Sequence, residues 1–428
     1  MNSIALQLNK SLEGTQAGSL LSEMGKRFFF PRGIIAQAAE ASKKATKYNA
    51  TAGMAFNNNQ PLILSSIKNS ITGLEAKDYI TYAPTPGDRE LRELWLEKIK
   101  IKNPSIKEIH TSLPIIVPGL TSGISNCADL FLNPGDNIVI PDLHWGNYDL
   151  ILKTRKEINI HTFKFFRDGR INIQSLKETL ISSAKNGKVS LLLNFPNNPT
   201  GYSPTKSEAE SIAQAIKDVA LMDIKILVMA DDAYFGLFYE DEIYKESIFS
   251  LIANLHNNVL AVKIDGATKE DYAWGLRVGF ITFAGKGLTK EHTDALEQKL
   301  MGSVRSSFSS SPKLSQNLVK KALLSLDYSR DKAEFESLMK ARYLKVKEIL
   351  EKRTNGKRLK ELPFNSGYFM TFETTPGYNE RLREELLEVG VGTIALGDTS
   401  FRIAYSSVDK SNLEDLFSII FSVSDNLQ

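Results

Sequence analysis

"VSLLLNFPNNPTG", residues 189–201, is an apolar run that ends in a cluster of Asn, Pro and Gly. A strand with one wet face alternates apolar and polar residues. A near-continuous run of Val and Leu instead marks a strand covered on both faces, as in parallel sheets. Comparable runs occupy 113–117, 137–140, 226–230, 259–264 and 279–283. Between them lie stretches of helical period, such as 88–101, 121–131 and 206–221. This alternation predicts an α/β fold, with helices on both faces of a mostly parallel sheet.

Beyond about residue 311 the pattern changes. A long charged stretch of helical period, 326–352, precedes short apolar runs at 368–372 and 401–405 and a final helical pattern at 410–423. The expected organisation is an N-terminal arm and small-domain segment (1–63), a large domain (64–325) and a smaller α+β domain (326–428). At 428 residues and 42% hydrophobic composition, the chain can bury the cores of two domains. A net charge of +3 gives no reason to expect a nucleic-acid partner. The single cysteine, Cys127, excludes an internal disulfide and fits a reducing compartment. No stretch reads as a signal peptide or a membrane span, so a soluble, cytoplasmic protein is expected.

Ligands of open α/β sheets bind beyond the carboxyl ends of the strands. After the first run comes Pro118-Gly119-Leu120-Thr121, where Thr121 can cap a helix whose free N–H groups suit a phosphate. The pattern is neither GxxxxGK[ST] nor GxGxxG, so no nucleotide loop is implied. After the second run Trp145 offers a flat face, while His144 beside it reads as structural. After the third, Asn198 offers an amide. After the fourth come Asp231 and Tyr234, and a buried carboxylate there needs a cationic partner. After the fifth comes "IDGATKEDYAWGLRVGF", residues 264–280, with Lys269 in a small-residue loop and Arg277 eight residues on. Each element alone fits an ordinary loop or core position. Together they suit pyridoxal phosphate, which carries a dianionic phosphate, a flat ring, a phenolic oxygen, a pyridine nitrogen that needs an acid, and an aldehyde that needs an amine.

The same residues carry a family resemblance. From about residue 49 to 406 the chain resembles fold-type I pyridoxal-phosphate enzymes of the class I, aspartate aminotransferase-like group. "NATAGMAFNNNQPLIL" (49–64) resembles the family's N-terminal substrate-side segment, with Gly53 at its glycine. "YAPTPG" (82–87) matches the motif whose tyrosine, here Tyr82, serves the phosphate of the neighbouring subunit's cofactor. By this resemblance Gly119, Leu120 and Thr121 form the phosphate loop, Trp145 stacks on the ring, and Asn198 and Tyr234 bond the ring oxygen. Asp231 pairs with the pyridine nitrogen, Lys269 binds the aldehyde, Arg277 neutralises the phosphate, and Arg402 in "SFRIAYS" grips the substrate carboxylate. Gly53, Trp145, Asn198 and Arg402 are the implied substrate contacts.

Two departures stand out. The family's serine or threonine three residues before the lysine is replaced by Gly266, which leaves the phosphate contact to Thr268 or to backbone N–H groups. An ungapped count back from Arg305 puts Ala295 where aspartate aminotransferases carry an arginine that reaches the neighbouring subunit's site and binds the substrate's side-chain carboxylate. The resemblance therefore implies a homodimeric transaminase that moves amine from a neutral or aromatic L-amino acid to a 2-oxo acid such as 2-oxoglutarate. Tyr368 is the expected aromatic pocket wall. A lyase, decarboxylase or synthase on the same fold shares these motifs. A cofactor-sensing transcription regulator would need a DNA-binding module for which the segment ahead of the resemblance leaves little room.

Overall fold

The computed structural model describes residues 1–31, 33–353 and 358–427. Its centre is a seven-stranded sheet in the order β1-β7-β6-β5-β4-β2-β3. The strands are β1 (Ile115–Val117), β2 (Asn137–Pro141), β3 (Asn159–Phe163), β4 (Lys188–Asn194), β5 (Lys225–Asp231), β6 (Val259–Gly266) and β7 (Gly279–Gly285). All neighbours are parallel except β7, which runs antiparallel to both β6 and β1.

The run at 189–194 behaves as a doubly covered strand should. Leu191 and Leu193 point into one apolar cluster, with Val139, Val228 and Phe280. Leu192 between them points into the other, with Met229, Val262, Ile281 and the helix residues Ile124 and Leu300. Each fully buried Leu contributes about 1.5–3 kcal/mol relative to exposure, so neither face tolerates polar substitution.

The first strand is shorter than its apolar run. Pro114 has no N–H to give a ladder. The backbone there bonds to side chains instead: Arg92 Nε donates to Pro114 O at 2.6 Å, and Leu113 N–H donates to Glu297 at 2.9 Å.

Five helices matter for the site: α1 (Ile34–Lys44), α2 (Arg89–Lys102), α3 (Leu120–Phe131), the single turn α4 (Ala267–Glu270) and α5 (Tyr328–Glu351). Asp88 caps α2 by accepting from Leu91 N–H at 3.0 Å, and Leu91, Trp95 and Ile99 form its buried stripe at four-residue spacing.

A second, four-stranded antiparallel sheet lies C-terminal: β8 (Lys360–Glu361), β9 (Phe369–Glu373), β10 (Ile394–Leu396) and β11 (Ser400–Ala404), in the order β8-β9-β11-β10. Early chain is seated here too. Tyr48–Asn49 pairs in parallel with Val391–Gly392, and Gln37 of α1 exchanges two 3.0 Å hydrogen bonds with the Ala395 backbone. The short helix Glu23–Arg27 ahead of α1 is seated on the large sheet's side instead, where Arg27 Nε donates to Thr154 O at 3.0 Å.

Candidate active site

The parallel register aligns the polar ends of the central strands. Asp231 sits level with Asn194 and Ile264. Asn194 ties that row to the next loop: its Nδ2 donates to Asp231 O at 2.9 Å, and its Oδ1 accepts from Asn198 N–H at 2.8 Å. The antiparallel β7 brings its start to the same edge, pairing Gly279 with Gly266 on one side and Val117 on the other. Around this edge lies a cavity of about 370 Å³. All the sequence-predicted site residues line it except Tyr82 and Gly119.

Asp231 is buried, accepting from Tyr148 Oη–H at 2.5 Å and Ala233 N–H at 3.1 Å. The expected cationic partner is not beside it: among the described residues, Asp231 makes no ion pair. Its neighbour Asp232 has one instead, bonding to Lys263 and Ser247. Burial pushes the Asp231 carboxyl up to about 6, against the hydrogen bonds from Tyr148 and Ala233.

Lys269 stands on the one-turn α4. Its Nζ donates to Gly53 O at 2.8 Å and lies 5.3 Å from the centre of the Tyr234 ring. Burial, then the charges of Arg277 and Arg402, bring its amine down to about 7, with Asp231 opposing. A large neutral fraction is therefore available near neutral pH, and the neutral amine is the nucleophile.

Arg277 adopts a left-handed backbone, φ 54°, and its Nη1 donates to Trp274 O at 3.2 Å. Its guanidinium lies against Gly119, where an added Cβ would come within 2.4 Å of Nη2. With φ at +85° as well, position 119 admits only glycine. Gly119 is also the helix cap, so Thr121 does not cap α3 as expected. It lies in the first turn beside Leu120, facing the cavity.

Gly266 is likewise imposed. A Cβ there would lie 2.5 Å from Val278 O and 2.9 Å from Gly279 Cα. Two residues on, the Thr268 hydroxyl is buried without a hydrogen-bond partner.

Arg402 is buried. Nη1 donates to Asn198 Oδ1 at 3.0 Å and Nη2 to Thr51 O at 3.1 Å, while Nε is buried without a partner. Its Cζ lies 4.2 Å over the Phe369 ring. Burial lowers its basicity to about 10, and it remains charged at neutral pH.

Tyr234 packs edge-on against Tyr368 and Phe369, and burial keeps its phenol protonated. Tyr368 is not a pocket wall. It is fully buried, with its hydroxyl donating to Lys269 O at 3.1 Å, and Phe369 faces the cavity in its place. Trp145 lies half-buried at the rim, edge-on to Tyr148 with centroids 5.6 Å apart. His144 bonds the Pro141 carbonyl and Asp149, a structural arrangement as expected. Tyr82 stands apart, 95% exposed. The strand-end pattern does not reach Tyr148, which bonds Asp231, nor the cavity-lining Asn194, Phe369, Ile34, Ile35 and Ala38. The apolar, four-residue spacing of Ile34 and Ala38 was the one available signal.

The sequence pattern of the family described as aminotransferase class I and II matches residues 51–420. The chain belongs to this family. It is a transaminase dependent on pyridoxal phosphate, of the aspartate aminotransferase-like kind. Within the class I and II aminotransferases it is 23% identical to the aspartate/prephenate aminotransferase of Thermus thermophilus, over 81% of this chain and 84% of that one. It is 28% identical to aromatic-amino-acid aminotransferase 2 of Thermococcus litoralis, over 47% of this chain and 48% of that one. The fold matches the crystal structure of an aminotransferase from Anaerococcus prevotii with a TM-score of 0.83, at 23% identity, covering 94% of this chain and 99% of that one. Among the described residues, no helix is long and apolar enough to cross a membrane.

Proposed function

We propose that this transaminase takes its amino group from neutral or aromatic L-amino acids in preference to aspartate, and passes it to a 2-oxo acid such as 2-oxoglutarate. One observation carries the reading. Among the described residues lining the cavity, the cations are Lys269, Arg277 and Arg402, and each has a use other than a substrate side chain. The wall that remains is apolar, formed by Ile34, Ile35 and Ala38 of α1 together with Phe369. A side-chain carboxylate buried there without a partner is strongly disfavoured.

The side chains fit the cofactor. Asp231, buried without a cation, suits the protonated pyridine nitrogen. Tyr234 and Asn198 suit the ring oxygen, and Trp145 the ring face. The orphaned Thr268 hydroxyl, Thr121, Arg277 and the N-terminus of α3 suit the phosphate. When bound, the cofactor supplies the electron sink for the bond that breaks at the substrate α-carbon. Asp231 would hold the proton on the pyridine nitrogen. Arg402 takes the α-carboxylate as a two-pronged pair, with Asn198 and Thr51 fixing the guanidinium plane. Lys269 Nζ would hold the cofactor at its aldehyde carbon, and its neutral amine is placed to carry the proton at the substrate α-carbon as a base.

Tyr82 is assigned to the phosphate of a second copy's cofactor, in a homodimer with shared sites. Its exposure, and that of Ile80 beside it, supports this assignment. The division into 1–63, 64–325 and 326–428 is proposed on the same footing, supported by the two separate sheets.

The test is steady-state kcat/KM for aspartate, alanine, methionine and phenylalanine with 2-oxoglutarate, following glutamate and ammonia together. Phenylalanine or methionine should exceed aspartate, with glutamate matching donor consumed. Preference for aspartate would sink the substrate assignment, and ammonia release without glutamate would point to a lyase.

A further inference from the structure

Two carboxylates follow Lys269 directly, and neither faces the cavity. Glu270 and Asp271 are buried, and three lysines close on them from two helices. Lys98 of α2 donates to both oxygens of Asp271, at 3.1 and 2.8 Å. Lys102, one turn on, pairs with Glu270 Oε1. Lys332 of α5 donates to the Glu270 carbonyl at 2.8 Å and its Oε1 at 3.2 Å, and reaches Asp271 at 3.4 Å. Tyr328, also on α5, donates to Asp271 Oδ1 at 2.6 Å.

As a source of stability such a cluster is poor. Desolvating buried charges roughly cancels their attraction, and apolar replacements are often neutral or better. Its geometry, however, is exacting. The turn that carries Lys269 is four residues long and cannot hold its own shape. Its internal hydrogen bonds are long, with Asp271 N–H to Ala267 O and Tyr272 N–H to Lys269 O both at 3.3 Å. The firmer bonds come from outside: Tyr368 takes the Lys269 carbonyl, and Lys332 the Glu270 carbonyl.

The helix that supplies Lys332 also holds the chain just past Arg402. Arg342 of α5 donates to Ser406 O and, at 2.5 Å, to Phe56 O. Ser406 lies just past Arg402, and Lys332 and Arg342 are about 15 Å apart along the helix. One rigid helix thus spans from the flank of Lys269 to the exit of the strand that carries Arg402.

We propose that Glu270 and Asp271, gripped by Lys98, Lys102 and Lys332, are positioning residues that hold the Lys269 turn at a fixed height against Arg402. Reacting groups displaced by even about 1 Å can lose two orders of magnitude in rate. The charge balance agrees with a built device. Three lysines share two carboxylates, and burial together with Lys332 and Lys98 brings Lys102 down to about 8. Lys98 and Lys332 are held above the usual lysine range by the same carboxylates.

The inference rests on Lys269 being the cofactor lysine, but not on which amino acid is the donor. Borohydride mapping of the parent enzyme tests that premise separately. The experiment compares Lys332→Met, Lys332→Arg and Glu270→Gln. The first readout uses cofactor-free protein: the pH midpoint of Lys269 reductive methylation with formaldehyde, located by peptide mass spectrometry. The second is kcat and KM of the loaded enzyme. Through-space charge effects alone would move the midpoint up in Lys332→Met and down in Glu270→Gln. Loss of position and new access of water should move both up, by about one unit towards ordinary lysine. With it, kcat should fall about tenfold or more while KM stays within about twofold. Lys332→Arg should restore the parent midpoint and kcat. Opposite shifts, unmoved midpoints with parent kcat, or failure of arginine to rescue would each overturn the proposal. If Lys332→Met does not fold, the charge-balanced double variant Glu270→Gln/Lys102→Gln is read by the same two measurements.

Discussion

Arg402 and Asn198 form one unit: Nη1–H donates to Oδ1 at 3.0 Å, while Nη2–H holds the Thr51 carbonyl at 3.1 Å. The amide and the guanidinium, both lining the cavity, are thereby set relative to each other. Arg402→Lys keeps the charge but loses the planar fork. A charge-assisted bond of this kind is worth about 1.5–3 kcal/mol, or about ten- to a hundredfold. We expect KM for every amino donor to rise by that factor, with a smaller fall in kcat, in steady-state assays.

Asp231→Asn should separate activity from stability. In the cofactor-free chain burial raises this carboxyl from 3.8 to about 6. Between those values the folded chain binds more protons than the unfolded one, so stability falls as pH rises through the window. Above 6 the ionised carboxylate is a standing penalty that the amide lacks. Cofactor-free Asp231→Asn should therefore melt above the parent at pH 7–8, and the gap should close towards pH 4. Its transamination rate should nevertheless drop by about 10²–10⁴-fold, the usual range for a positioned proton donor or acceptor. Parent-like rates would assign the pyridine proton elsewhere.

For Lys269 the sign is opposite. Its amine falls from 10.5 to about 7, so above 7 the unfolded chain holds the extra proton and stability rises with pH until both states are neutral. Compared with Lys269→Met, the cofactor-free parent should show its largest melting deficit below pH 7 and recover it by about pH 10. The rate of cofactor incorporation should climb to about pH 7 and then level off.

Much of this site was legible from the strand ends, because sheet geometry places carboxyl-terminal loops together whatever the loop sequences are. What escaped followed from particular physical ambiguities. The run at 279–285 reads the same in either direction, so the antiparallel β7 was hidden. The edge strand Asn159–Phe163 is largely polar and had no apolar signature. Tyr368 and Phe369 are adjacent, and a one-residue shift in a strand exchanges its faces, so the sequence alone does not decide which aromatic enters the pocket. The demand for a cation beside Asp231 was sound chemistry. In the fold, Lys263 pairs with Asp232, and among the described residues Asp231 stays buried without an ion pair.

Gly266→Ser restores the residue that the family commonly carries, yet should harm this chain. Its Cβ would press on Val278 O at 2.5 Å, and overpacking of this kind costs about 1–3 kcal/mol. Differential scanning calorimetry should show a lower Tm, with no tighter cofactor binding. Thr268→Val, by contrast, removes the hydroxyl that has no other partner. It should weaken cofactor binding by about tenfold or more, one charge-assisted hydrogen bond, while leaving the melting of the cofactor-free chain close to the parent's.

The last expectation concerns the residue that lies outside its own cavity. Tyr82 is 95% exposed, in a stretch where Ile80 is also largely exposed. A tyrosine so placed can act on a phosphate only in a second copy of the chain. If it does, Tyr82→Phe damages its partner's site, whereas Lys269→Ala disables its own. Mixed and re-associated, the two single variants should form heterodimers in which one site has lost both groups and the other keeps both. With random pairing about half of the dimers are mixed, and each has one intact site. Activity should therefore recover to about a quarter of the parent's, above that of either variant alone. Sedimentation should show a dimer throughout. A fully active monomer, or mixtures no better than the sum of the separate variants, would confine Tyr82 to its own protomer and remove the case for shared sites.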